Sequence, residues 1–374
     1  MKRIWLSLIV IMIAVIIPIL AFEGGNSLVM WRKPHLSLSY QLFSRLGLSN
    51  PETTAGQEGA YAPYFSDSSK LFGLMDEISG SSIGIGNAPF KQSQNESAAI
   101  NTIEPNGCPS LKPNLKKTAF FLRTSAFNPL EPVSVFYDAD KKINEPLKSF
   151  FDLYGGRKVT ISSNGSGERL TVPVVQSPRK VLVAGDSVAF GAMIDDSETL
   201  PSMMQAIDQS RQYVNLGVAG IDAEAIVCRL EAAAKRYAGE IDELIYIYCE
   251  NDMKPHRPYG TPDKVIAWLQ AFAKKNGINK VRVVFSPYIY LLAPEITRFN
   301  GYFGATYPMR QLERLELISA VKASGFAWTD IGLVATAEGE RLKTPFAVLS
   351  LFVDHNHLSP RGNELVLQSI RGNN

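Results

Sequence analysis

Apolar and polar positions are arranged in two ways along the chain. From Lys180 onward, apolar runs of strand length recur at residues 181–184, 213–216, 243–248 and 281–286. Helix-length amphipathic segments lie between them at 200–209, 223–237 and 262–275. Continuous apolar strands alternating with helices predict a parallel sheet covered by helices on both faces. Ligands of such sheets bind beyond the carboxyl ends of the strands. Upstream, shorter strand-like pieces at 133–137 and 158–161, with an Asn164-Gly165 turn signal, predict a small β-rich lead-in over 117–179. Residues 23–116 are rich in Gly, Ser, Pro and Asn and read as an extended tether, with one helical stretch near 69–78.

Residues 4–22 carry no charge and follow Lys2 and Arg3. As a helix they reach about 28 Å, close to the roughly 30 Å hydrocarbon core of a bilayer. The run is long for a signal peptide, and Leu20-Ala21-Phe22-Glu23 is a poor cleavage site. It therefore reads as an uncleaved single-pass anchor of the inner membrane. With Lys2 and Arg3 inside, the remaining chain faces the periplasm or exterior. The expected order is anchor 1–22, tether 23–116, lead-in 117–179 and main domain 180–374.

The 374 residues suffice for one large domain with additions. Lys and Arg are interleaved with Asp and Glu at a net charge of +2, which gives no electrostatic case for nucleic acid. Three cysteines, Cys108, Cys228 and Cys249, show no metal-ligand spacing, and no cofactor is implied. At most one pair can form, and buried free thiols are the expectation.

The first three predicted strands of the main domain end in polar clusters, and a fourth cluster lies near the carboxyl terminus. The first ends in Gly185-Asp186-Ser187 and the second in residues 215–220, closing on Gly220. The third ends in residues 248–252, including Asn251-Asp252, and Asp354-His355-Asn356-His357 precedes a last helix that starts at Ser359-Pro360. A serine hydroxyl becomes a nucleophile when a base, most often histidine, takes its proton. The four histidines are His35, His256, His355 and His357. In Asp354-x-x-His357 a tight turn lets the carboxylate accept the Nδ1 hydrogen while Nε2 faces a serine; His256, also beyond a strand end, is the alternative base. The backbone N–H groups of Ser187 and Gly220 and the side-chain amide of Asn251 are candidate oxyanion donors.

These four blocks, in this order, resemble the SGNH (GDSL-type) hydrolase superfamily over about residues 180–371. The resemblance implies a flavodoxin-like α/β/α three-layer sandwich with a central parallel sheet. It also implies Ser187 as nucleophile, His357 as base, Asp354 as its orienter, and an oxyanion hole of Ser187, Gly220 and Asn251. Cys249 stands where the family has a glycine. Read singly, Ser187 is also a good helix N-cap, Asp354 can cap the last helix, and Gly217 suits close packing. Gly80-Ser81-Ser82-Ile83-Gly84 matches a nucleophile elbow without the strand and helix that motif requires. Residues 287–308 form an aromatic connection in which Tyr288, Tyr290 and Tyr302 are candidate substrate contacts or a local core. The expected function is a serine esterase or O-acyltransferase acting on ester groups, O-acetyl above all, of envelope or secreted glycans. The alternatives are a non-catalytic glycan-binding module on the same fold and an esterase of lipids or small esters.

Overall fold

A computed structural model describes residues 100–121, 136–138, 157–249, 257–287, 292, 301–342, 351–353 and 356–372. Five parallel strands form the central sheet: β6 (Lys180–Ala184), β7 (Gln212–Asn215), β8 (Ile241–Cys249), β9 (Lys280–Ser286) and β10 (Ala327–Asp330). Their spatial order is β10-β9-β8-β6-β7, and all neighbours pair in parallel. Numbered along the chain, that is the doubly wound order 2-1-3-4-5. Its switch point, where crossovers reverse direction, lies between β6 and β8.

Alternate residues of each strand point to opposite faces, and the core divides accordingly. On one face Val181, Val183, Ile245, Ile247 and Val284 pack with Leu200 and Met204 of α2 (Leu200–Ile207), Ile331 and Ala335 of α6 (Ile331–Leu342), and Val366 and Ile370 of α7 (Pro360–Gly372). On the other, Leu182, Leu244, Tyr246, Val283 and Phe285 pack with Ile226 and Leu230 of α3 (Ala223–Arg236), Leu269 and Phe272 of α4 (Pro262–Asn276), and Leu317 and Val321 of α5 (Gly301–Ser324). The helix starts follow local chemistry: Thr199 and Asp222 cap α2 and α3 through their side chains, and Pro residues open α2 and α4.

Upstream lie an antiparallel pair, β1 (Asn101–Ile103) with β2 (Pro109–Leu111), and a three-stranded antiparallel sheet. That sheet holds β3 (Lys116–Phe121) between β4 (Phe136–Asp138) and β5 (Arg157–Ser162). The tether expected over 23–116 is thus corrected at its end, since residues 100–116 carry paired strands. Ile100 and Leu111 are fully buried with Val159, Ile161, Phe190 and Val218, so this stretch completes the core. Cys108 and Cys228 form a disulfide with Cα atoms 5.6 Å apart, which corrects the expectation of free thiols. The β1–β2 hairpin folds back onto α3, a placement invisible while residues 23–116 read as tether. Cys249 is a buried thiol. Residues 301–308, expected in a connection, already belong to α5. No helix among the described residues is long and apolar enough to cross a membrane, and residues 1–22 lie outside them.

Candidate active site

Ser187 opens α1, a single turn spanning Ser187–Phe190, directly after β6 at the switch point. Three close approaches fix that turn. A methyl group on Gly185 would sit 2.8 Å from the Ile247 carbonyl oxygen, so a side chain there would force β6 away from β8. Asp186 is the N-cap, and its Oδ1 accepts the Val188 N–H at 2.9 Å. Gly217 lies flat against the backbone of Ala189 and Phe190, leaving no room for a Cβ. The first N–H groups of a helix have no partner within it, so the turn does not consume the Ser187 N–H.

His357 arrives from the far end of the chain on a short closed loop. The Val353 N–H donates to the His357 carbonyl at 2.8 Å, and the Ser359 N–H donates to the Leu351 carbonyl at 2.9 Å. Ser359 Oγ accepts the Gly362 N–H at 3.1 Å and caps α7. Gly362 in turn packs against the Leu351 carbonyl, where any Cβ would collide. The loop sets His357 Nε2 2.7 Å from Ser187 Oγ, across 170 residues of sequence. When Nδ1 carries the ring proton, Nε2 accepts the serine hydroxyl. Asp186 Oδ2 is 3.5 Å from the same hydroxyl, at the outer limit of a hydrogen bond. Ser187 is 6% exposed and His357 half-buried.

Of the other expected site residues, Gly220 lies in the turn after β7, at the same carboxyl edge as Ser187, with φ +79° in the left-handed region. β8 ends at Cys249, two residues short of Asn251. Asn251, Asp354, Tyr288 and Tyr290 lie outside the described residues, as do His35, His256, His355 and residues 80–84. Tyr302 lies in α5. Cys249 is fully buried, in the same core cluster as Val188 and Ala189.

The sequence reading missed Arg169, which donates to the Phe190 carbonyl at the end of α1, and its partner Asp196. Both are buried and form an ion pair at 3.1 Å. Burial pushes the Arg169 guanidinium down and the Asp196 carboxyl up, and each opposes the other's shift. No periodicity or spacing marks a lone Arg in the turn-rich stretch before β6 as buried.

No family model matches the chain, and no curated protein matches it. Among solved structures the chain is similar to a member of the lipolytic protein G-D-S-L family from Veillonella parvula. The two share 13% identity over 52% of this chain and 97% of that one, with a TM-score of 0.39. It is also similar to a variant of an acetyl xylan esterase from Geobacillus stearothermophilus. There the identity is 16% over 53% of this chain and 95% of that one, with a TM-score of 0.38.

Proposed function

We propose that the chain is a serine esterase or O-acyltransferase. Ser187 attacks the ester carbonyl while His357 Nε2 takes its proton, and the same imidazole then protonates the departing alcohol. Water or an acceptor hydroxyl releases the acyl group by the reverse sequence. Asp354 orients His357, and the Ser187 and Gly220 N–H groups with the Asn251 amide receive the oxyanion. The observation that carries this reading is the 2.7 Å approach of His357 Nε2 to Ser187 Oγ at the sheet's switch point. It favours chemistry over a non-catalytic binding module, because a binding surface has no need of a serine paired with a base.

The substrate class proposed is the O-acetyl ester of envelope or secreted glycans, with the domain held at the outer face of the inner membrane by residues 4–22. The uncharged run after Lys2 and Arg3 supports that placement. So does the Cys108–Cys228 disulfide, a bond that persists in oxidising compartments. The test is labelling by a fluorophosphonate, which requires an activated serine. Wild-type protein is expected to label, and Ser187→Ala and His357→Ala are each expected to abolish it. Well-folded wild-type protein that does not label would return the binding module. Release of acetate from acetylated glycans, compared with long-chain esters, decides the substrate class.

A further inference from the structure

The nucleophile turn is a single turn of helix, and one isolated turn does not hold itself together in water. Its carboxyl-terminal end relies on a residue from outside the sheet. Arg169 Nη1 donates to the Phe190 carbonyl at 2.6 Å and to the Gly191 carbonyl at 2.5 Å. Its Nη2 donates to the Ile194 carbonyl at 2.7 Å. Its Nε donates to Asp196 Oδ1, which also accepts the Ser162 N–H at 3.1 Å. The guanidinium lies 4.5 Å from the centre of the Phe190 ring. Four of its five N–H groups are therefore spent on the end of α1 and the segment after it. Arg169 is itself fixed, because its own N–H donates to the Asn215 carbonyl of β7.

We infer that Arg169 is the positioning residue of the nucleophile. Through the Phe190 and Gly191 carbonyls it sets where Ser187 Oγ stands relative to His357 Nε2. Gly217 limits the same turn from the side, so the guanidinium and the glycine together leave it one position. A lysine cannot replace the fork, since an ammonium offers no planar set of donors matching three carbonyls and a carboxylate. The inference rests on the proposed role of Ser187 and adds a residue that touches no substrate.

The experiment measures fluorophosphonate labelling rate per folded molecule, and kcat and KM on a small ester, for full-length protein and its Arg169→Lys and Arg169→Met variants. A displacement of about 1 Å costs on the order of a hundredfold in rate. The expected result is a fall of about ten- to a hundredfold in labelling rate and kcat, with KM little changed. Arg211→Met serves as the stability control. Arg211 joins Asp208, Glu243 and Tyr213 at the opposite edge of the sheet, so its loss is expected to lower Tm without lowering the labelling rate. If the Arg169 variants do not fold, Asp196→Asn decides: it keeps the acceptor for Ser162 and loosens the guanidinium, and a several-fold rate loss is expected. An unchanged rate per folded molecule in Arg169→Lys, or in Asp196→Asn where the former does not fold, overturns the inference. Absence of labelling in wild-type protein would instead sink the reading of Ser187, so the two failures are distinguishable.

Discussion

A methyl group on Gly217 would occupy the space of the Phe190 amide nitrogen and the Ala189 carbonyl carbon, so Gly217→Ala must push β7's end and α1 apart. Overpacking of this kind costs about 1–3 kcal/mol, and urea denaturation is expected to show it with a matching loss of labelling at Ser187. A second residue-level prediction concerns Asp208. Burial raises its carboxyl, but hydrogen bonds from Ser210 and Arg211 outweigh that and hold it at about 2. A carboxylate depressed below its unfolded value stabilises the fold above that value, near 3.8, and the contribution is lost as pH falls toward 2. The Tm difference between wild type and Asp208→Asn is therefore expected to shrink between about pH 4 and pH 2. An unchanged difference would mean that Asp208 is not the group titrating. At this scale the sequence was informative about which residue types to pair, and the fold brings Ser187 and His357 within 2.7 Å. It was silent on Arg169, because a buried arginine is written in the same letter as a solvated one.

Elements were legible where their period was unmixed. β6 to β9 and α2 to α4 fall within a few residues of the expected ranges, because each strand is apolar on both faces and each helix has one apolar stripe. The edge strand β10 was missed: Ala327-Trp328-Thr329-Asp330 has four residues and two polar ones, too few for a pattern. The β1–β2 hairpin was missed for a different reason. Its strands have three residues each, and what holds them is distant: the Cys108–Cys228 disulfide, and Arg229 of α3 donating to the Pro109 and Gly167 carbonyls. Removing a native disulfide costs about 2–5 kcal/mol, so the double variant Cys108→Ser with Cys228→Ser is expected to unfold at correspondingly lower denaturant. Equal stability would make the hairpin's hydrogen bonds sufficient without the bridge.

For the whole molecule, the question is where the folded body begins. The composition of residues 23–116 places the boundary at 117, yet Ile100 and Leu111 are fully buried against Val159, Ile161 and Phe190. Phe190 is also the ring over which Arg169 lies and the last residue of α1, the turn that Ser187 opens, so the same cluster reaches the candidate site. Burying an aliphatic side chain of this size contributes about 1.5–3 kcal/mol. The two together, with the disulfide, amount to about 5–11 kcal/mol, comparable to the entire stability of an ordinary domain. A chain starting at Thr118 is therefore expected to be largely unfolded or to melt far below one starting at Ala98, and to label poorly at Ser187. Circular dichroism melts and fluorophosphonate labelling of the two chains check this. If the shorter chain matched the longer in both, the β1–β2 pair would be an accessory to the sheet. If it fails in both, the folded body that positions Ser187 begins upstream of Thr118, and the β1–β2 pair is part of it.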